Sequence, residues 1–407
     1  MRVDDCEVIV VGNPPPHRGG RYFILVKLVS ADGIVGWGEA YGAAFAPSIL
    51  EAAIKDSFAR HLAGRDPRDV EQLWRRCHGS GFQQRGDPTM SACASALEMA
   101  CWDMAGKAID TPVHRMLGGR VHERLRSYTY LYPPEGTGSV FPGEEDDPNA
   151  PNVYDDPELA ASAALAEVER GFTAIKLDPA GPYSITDGRQ PRLIDLDLSV
   201  RMLAAIRGKV GTRADILYGT HGQFTPSGAV RMASAIAPFQ PLWFEEPLPP
   251  DAPSAAWASV AAASTVPIAS GERLVGLSEF AQLIEAGVGI VQPNLGRCGG
   301  LMQGKKIAAY AEARHALVAP HCYCGPIVGA ANAQLAATCP NFLVLEAIGS
   351  WDGFHAELLT SPLSFEDGHT LVTDAPGLGV EVNEAVARAH PYESDRLHLE
   401  MADTTPG

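Results

Sequence analysis

Eight short apolar runs recur between Ser127 and Leu345, each parted from the next by a stretch with helical spacing of its apolar residues. The runs are Ser127–Leu131, Ala174–Leu177, Ile216–Tyr218, Leu242–Phe244, Pro267–Ala269, Gly289–Gln292, Leu317–Ala319 and Phe342–Leu345. The intervening stretches are Pro157–Arg170, Leu198–Arg207, Gly228–Ile236, Ser254–Ala263, Ser278–Ala286, Leu301–Ala316 and Ala330–Thr338. Strict alternation of this kind over ~220 residues predicts a parallel (β/α) barrel rather than a doubly wound sheet. Such a barrel places its active site at the C-terminal ends of the strands. The residue that closes each run therefore carries the functional information.

Nearly every run closes on an ionisable or strongly polar group. The second ends Lys176-Leu177-Asp178, whose Lys and Asp share one side because alternate strand residues do. The third ends Tyr218-Gly219-Thr220-His221-Gly222-Gln223, the fourth Glu245-Glu246-Pro247, and the fifth Gly271-Glu272-Arg273. The last three end in Asn294, His321 and Glu346. Glu245 and Glu272, from adjacent strands, are hard oxygen ligands of the kind that hold Mg²⁺ while leaving positions for substrate and water. A metal-held substrate carboxylate acidifies the neighbouring C–H. Lys176 and His321, from opposite sides of the barrel, could then exchange protons with it. A lone Lys or His is more often structural; the joint pattern is what points to chemistry.

Ahead of the barrel, Tyr22–Val29 and Ile34–Glu39 read as two strands of a meander. Helical patterns follow over Ala46–Leu62, Pro67–Cys77 and Thr89–Lys107, which makes a small α+β domain up to about residue 120. Two loops on the active face are long, 132–156 and 177–194, and suit a lid or specificity role. The tail beyond Leu371 reads as irregular, with disorder expected at its last residues.

Thirty-two Lys and Arg against 49 Asp and Glu give a net charge of −17. That balance excludes a phosphate-backbone binder and an anionic-membrane binder. No apolar run approaches the ~20 residues of a membrane helix, and the acidic N-terminus reads as no signal peptide. Eight cysteines in 407 residues form no disulfide framework and fit reduced thiols in a cytoplasm. Gly36, Gly38 and Gly42 have the wrong spacing for a dinucleotide fingerprint; a strand turn explains them. Cys322 and Cys324 would project to the side opposite His321, so no shared zinc site is expected there. Alternation turns Glu246 toward the barrel wall, where it would either support the site residues from behind or be held in an ion pair.

Several segments carry a resemblance to the enolase superfamily, mandelate racemase/muconate lactonizing enzyme family, over nearly the whole chain. They are Asp32-Gly33-Ile34-Val35-Gly36-Trp37-Gly38-Glu39, Ala96-Leu97-Glu98-Met99-Ala100-Cys101-Trp102-Asp103-Met104-Ala105-Gly106-Lys107, Leu117-Gly118-Gly119 and Pro376-Gly377-Leu378-Gly379-Val380. The resemblance implies a (β/α)₇β modified TIM barrel under an α+β capping domain built from both termini. The expected division is a cap over 1–122, a barrel over 123–360 and a C-terminal segment, 361–407, returning to the cap. It further implies Lys176 as a base, Glu245 and Glu272 as ligands of one Mg²⁺ per subunit (or Mn²⁺), His321 as a proton-transfer residue and Glu346 as the partner of the substrate carboxylate. Gly-Thr-His-Gly-Gln resembles the Asp-x-His-Gly-Arg of acid-sugar dehydratases, in which the His protonates the departing hydroxyl.

Two positions depart from the family. Its first metal ligand, an Asp, is Gly219 here. Asp215, four residues earlier, lies roughly 13 Å away at ~3.3 Å per residue and cannot substitute. Either His221 becomes the third ligand or water fills the gap. The sixth-strand Asp that pairs with the His is Asn294, whose carbonyl can fix the imidazole tautomer but brings no charge. Asp178 either bridges Lys176 or opens its loop; with His17, Arg18 and Tyr41 it is a candidate substrate contact. The expected activity is dehydration of a sugar acid to a 2-keto-3-deoxy acid. The alternatives are racemisation, epimerisation or cycloisomerisation of a sugar acid or lactone, or a binding protein without catalysis. The expected partners are a small carboxylate substrate and copies of the chain itself, as a homo-oligomer between dimer and octamer.

Overall fold

Residues 1–42, 44–132 and 152–403 are described by the structure, a computed structural model. The N-terminal part is a three-stranded antiparallel meander, β1 (Val3–Gly12), β2 (Tyr22–Ser30) and β3 (Val35–Ala40), in that order. β1 is an element the sequence reading did not contain. Its acids Asp4, Asp5 and Glu7 and a register irregularity between Val3 and Asp5 break the alternation that would have marked it. Against the sheet lie α1 (Pro47–His61) and α3 (Pro88–Ala108), with α2 (Val70–Gly79) packed on these two helices, followed by the short α4 (Val113–Met116).

α3 starts where Asp87 accepts the Met90 N–H at 2.7 Å with Pro88 next, a pairing of N-cap and first-turn proline. It is buried on almost every side and sits directly on β3. A Cβ at Gly36 would fall 2.2 Å from the Ala100 carbonyl, and one at Gly38 2.0 Å from that of Ala96. These two glycines therefore lie within a strand, not in the turn expected for them; they let a helix backbone touch a strand backbone.

Eight parallel strands then form the barrel: β4 (Arg124–Tyr130), β5 (Ala174–Leu177), β6 (Asp215–Tyr218), β7 (Trp243–Glu245), β8 (Ile268–Ser270), β9 (Ile290–Val291), β10 (Leu317–Val318) and β11 (Leu345–Glu346). β11 pairs with β4, and a parallel bridge between Val318 and Phe342 completes the ring. Seven helices alternate with them: α5 (Pro157–Glu169), α6 (Leu193–Val210), α7 (Pro226–Ile236), α8 (Ser254–Ala263), α9 (Gly276–Glu285), α10 (Gly300–Ala313) and α11 (Pro326–Ala336). This is the (β/α)₇β barrel expected. Tyr128, Ala174, Leu217, Trp243, Ala269, Ile290, Ala319 and Val344, one from each strand or its flank, fill the barrel as a single packed layer. That layer is the floor of the site.

Some boundaries moved. α6 starts five residues before the expected Leu198, because exposed Leu193 and Ile194 hide its amphipathic phase. α11 runs four residues further toward the N-terminus than expected; it is buried all round and so has no apolar stripe to read. Past the barrel come α12 (Phe354–Glu357), a hairpin of β12 (Phe365–Glu366) and β13 (His369–Leu371) that extends β4 antiparallel, and α13 (Glu384–Ala389). Among the described residues beyond Leu371, α13 is the one regular element in an otherwise irregular tail.

Three buried carboxylates tie the cap down. Glu39 accepts the N–H groups of Gly325 (2.5 Å) and Val328 (3.0 Å) at the start of α11. Glu98 accepts those of Leu301 and Met302, both at 2.8 Å, at the start of α10, together with Trp102 Nε1. Asp103 accepts Trp37 N and Leu378 N, both at 2.8 Å. Acids at helix N-termini satisfy donors that the helix itself cannot. The Glu98 and Asp103 of the family-like run are accordingly structural. All eight cysteines are free thiols. Among the described residues no helix is long and apolar enough to cross a membrane.

Candidate active site

The strand ends deliver their polar groups to one buried cluster. Lys176 at the end of β5 makes an ion pair with Glu245 Oε1, and its Nζ lies 4.0 Å from Glu346 Oε1. The other Glu245 oxygen accepts Trp243 Nε1 at 2.9 Å. Trp243 sits two residues before Glu245 on β7 and so shares its side. Glu272 Oε2 faces His321 Nε2 at 3.1 Å and His221 Nε2 at 3.7 Å. Glu346 Oε2 accepts the Cys322 N–H at 2.6 Å and stands 3.9 Å from His321 Nε2. Lys176, Glu245, Glu272, His321 and Glu346 are all buried.

Burial and mutual repulsion govern their protonation. Burial opposes the charge on Lys176, but Glu245 and Glu346 outweigh it and hold the ammonium above its ordinary range. Burial raises the Glu245 carboxyl, although Lys176 pulls the other way. It pushes Glu346 up to about 7. Burial also takes His321 down to about 3 against the pull of Glu272, so its imidazole is neutral at neutral pH. Glu272 stays below the carboxylate range despite its burial, held there first by His321 and His221 and further by Lys176 and Arg273. Arg273 also pairs with Glu246 at 2.7 Å, which puts Glu246 in the wall-side ion pair, one of the two roles expected for it.

The Asn294 amide has one orientation available. Its Oδ1 accepts the Gly296 N–H at 2.8 Å, which leaves Nδ2 facing His321 Nδ1 at 2.8 Å and Cys324 Sγ at 3.3 Å. An NH₂ group cannot accept, so Nδ1 carries the lone pair and the ring proton sits on Nε2, toward Glu272. The expectation that the Asn carbonyl would face the ring is corrected: a loop N–H has claimed it. Cys322 and Cys324 are buried, and the Cys324 sulfur accepts from Asn294.

His221, Glu245 and Glu272 each offer a ligand atom, and these atoms lie within 4.8 Å of one another. Glu346 Oε1 is buried without a hydrogen-bond partner, and Glu272 Oε2 faces only the ring nitrogens of His321 and His221. Acceptors facing each other across a gap, with an oxygen left unpaired, suit a cation between them. Gly219 adds no side chain, and Asp215 pairs with Arg126 at 2.6 Å at the far end of β6. Asp178 does not bridge Lys176 directly. Its Oδ2 accepts Tyr183 OH (2.5 Å) and Tyr130 OH (3.1 Å) and stands 3.5 Å from His221 Nδ1.

Of the remaining expected contacts, Tyr41 packs edge-on to His321 with 5.8 Å between ring centroids and stacks under Arg297. Arg18 lies over the Tyr132 ring at 5.2 Å and 3.8 Å from Asp352. His17 turns back onto the Asn13 carbonyl, 2.5 Å from its Nδ1. Its loop nevertheless lies on the His321–Gly325 segment, for a Cβ at Gly19 would come 2.8 Å from the Cys324 carbonyl. Of the two expected lid loops, 133–151 lies outside the described residues. The sequence reading missed Trp243, Tyr130 and Tyr183; strand alternation from Glu245 could have found the first. It also missed the tail. Ala402 exchanges backbone hydrogen bonds with Tyr183 and Ile185, both 3.0 Å, which binds the C-terminal segment to the β5–α6 loop.

A capped (β/α)₇β barrel with acids, a lysine and a histidine converging at its strand ends defines an enolase-type enzyme fold. Residues 158–386 match the enolase C-terminal domain-like family model, and residues 16–118 match the mandelate racemase/muconate lactonizing enzyme N-terminal domain. The chain belongs to the mandelate racemase/muconate lactonizing enzyme family of the enolase superfamily. It is 32% identical over 375 residues to a D-galactonate dehydratase of Variovorax paradoxus, covering 90% of this chain and 91% of that one. It is 31% identical to a D-gluconate dehydratase of Thermoproteus tenax, covering 92% and 72%. A solved mandelate racemase/muconate lactonizing enzyme structure from Sulfitobacter superposes with a TM-score of 0.94 at 49% identity, covering 100% and 99%.

Proposed function

We propose that this protein is a divalent-metal-dependent hydro-lyase that dehydrates a sugar acid to a 2-keto-3-deoxy acid. The observation that carries the reading is the buried convergence of His221, Glu245 and Glu272, flanked by Lys176 and His321. Relatives that dehydrate galactonate and gluconate support the substrate class.

His221, Glu245 and Glu272 would hold the metal, and Glu346 would hydrogen-bond the substrate carboxylate. The bound cation supplies positive charge that stabilises the anion left when the α-carbon loses its proton. A nitrogen ligand moves the preference from Mg²⁺ toward Mn²⁺. Lys176 takes the α-proton as a neutral amine, after its pairing with Glu245 is relaxed and the ammonium has passed its own proton to solvent. His321 donates a hydrogen bond from Nε2–H to the departing 3-hydroxyl, which leaves as water with the proton that Lys176 has taken from the α-carbon. The resulting enol takes a proton at C3 and becomes the keto acid. In this assignment Asn294 fixes the tautomer, Tyr41 backs the His321 ring, and Arg18, with His17 beside it, reaches the distal end of the substrate. Residues 1–122, 123–360 and 361–407 serve as cap, barrel and returning segment.

Racemisation or cycloisomerisation would need His321 as a base as well as an acid, and its Nε2–H disfavours that role. The test is a screen of acid sugars in D₂O with Mg²⁺ or Mn²⁺, followed by proton NMR. A semicarbazide-reactive keto acid is expected. Deuterium at C2 without loss of water would replace dehydration with epimerisation.

A further inference from the structure

Gly219 and Asp178 face each other across β5 and β6. A Cβ at Gly219 would lie 1.8 Å from Asp178 Oδ1, 2.9 Å from its Cγ and 3.2 Å from Lys176 Cε. The place where a β6 side chain would begin is thus filled by a carboxylate from β5. That carboxylate is held on one side by the hydroxyls of Tyr130 and Tyr183 and looks on the other toward His221 Nδ1, 3.5 Å away. Asp178 Oδ1 and His221 Nδ1 are both buried atoms without a hydrogen-bond partner. Tyr183 also packs edge-on against the His221 ring, with 4.7 Å between centroids. The imidazole therefore stands with Nδ1 toward Asp178 at the end of β5 and Nε2 toward Glu272, just past β8.

We propose that Asp178 is the positioning residue for His221, supplying from β5 the carboxylate that β6 lacks. A partner on Nδ1 fixes that nitrogen as the donor and leaves the Nε2 lone pair facing Glu245 and Glu272, the arrangement in which outer carboxylates orient metal-binding histidines. Positions 178 and 219 then form one exchange: position 219 is glycine because position 178 is aspartate. Glycine there is demanded by space alone, since its backbone is not among the positive-φ positions. The proposal rests on the reading that a cation sits among His221, Glu245 and Glu272, and it makes a prediction separable from it.

The test uses the metal-free full chain, Mn²⁺ as the probe, and two readouts that need no turnover. In ¹⁵N-histidine NMR of the apo protein, His221 is expected as the Nδ1–H tautomer, and Asp178→Asn is expected to mix the two tautomers. In Mn²⁺ titration followed by EPR, Asp178→Asn and Asp178→Gly are expected to weaken binding 10–100-fold, the usual effect of removing an outer partner. Gly219→Asp alone is expected to weaken it as well, because Asp178 occupies its space. The double variant Asp178→Gly/Gly219→Asp is expected to bind more tightly than either single variant. An unchanged His221 tautomer in Asp178→Asn overturns the proposal whether or not metal binds. So does Mn²⁺ affinity equal to wild type in both Asp178 variants, or a folded double variant no tighter than Asp178→Gly. A wild type that binds no Mn²⁺ overturns the cation site instead, and the tautomer readout then decides the role of Asp178.

Discussion

Substituting Asp for Asn294 should move a proton from one side of the His321 ring to the other. In the wild type the amide is anchored by Gly296 N–H on Oδ1, so its NH₂ faces Nδ1 at 2.8 Å. The Nδ1–H tautomer would set two donors against each other in a site where His321 and Asn294 are both buried. Each buried donor without a partner costs about 1–3 kcal/mol, so Nε2–H is favoured by about 2–6 kcal/mol. At the lower limit that is roughly a 30-fold preference. An Asp carboxylate reverses the requirement, because it only accepts. A hydrogen bond from Nδ1–H to a charged acceptor contributes about 1.5–3 kcal/mol, enough to protonate Nδ1 in the variant. Long-range ¹H–¹⁵N spectra of histidine-labelled protein, assigned with His321→Asn, report the state of Nδ1 directly. The expected result is an unprotonated Nδ1 in the wild type and a protonated one in Asn294→Asp. A protonated Nδ1 in the wild type would refute the tautomer argument, and with it the case for His321 as the hydrogen-bond donor to the departing hydroxyl.

Lys176→Ala and His321→Asn should each lower turnover by ~10²–10⁴ with circular dichroism unchanged, the usual loss of a positioned acid or base; wild-type turnover in either removes that residue from the chemistry. His221→Ala should lose Mn²⁺ affinity together with activity in a metal titration, whereas unchanged affinity with lost turnover would make His221 the general acid instead. Glu245→Gln and Glu272→Gln should both weaken metal binding, and wild-type affinity in both would end this account of the site. Glu98→Gln should be destabilised by about 2–4 kcal/mol in a thermal melt at pH 8.5, above the value of about 7 to which burial pushes its carboxyl, because an amide NH₂ would then oppose the Leu301 N–H; a melting point equal to wild type would mean that this carboxylate does not hold α10.

What was legible in the sequence follows from how local each signal is. The barrel could be read because strand and helix periods differ and alternate eight times. Lys176, Glu245, Glu272, His321 and Glu346 could be read because barrel topology sends every strand end to the same face. β1 could not be read, because its acids follow solvent exposure rather than alternation. The Asn294 orientation could not be read either. It depends on a Gly296 N–H that competes for the carbonyl, and nothing in residue type shows which of two acceptors a loop amide will choose. The Asp178 contacts lay further out of reach, since they require the β5–β6 register and Tyr183 from a loop.

The burial of so much negative charge needs a physical reason. Asp178, Glu245, Glu246, Glu272 and Glu346 meet around two fixed cations, Lys176 and Arg273. Burial raises Glu245 and takes Glu246 and Glu346 up to about 7, which means that the cluster is short of positive charge. Hydrogen-bonded wall positions cannot explain the excess: Glu346 Oε1 has no such partner, and Glu272 Oε2 faces only the rings of His321 and His221. A cluster held only for structure would be replaced at little cost by apolar residues packed over the Tyr128–Trp243 layer. Carboxylates kept apart from water, short of cations and aimed at a common point are better accounted for by a site that completes its charge with a divalent ion and an anionic substrate bound to it.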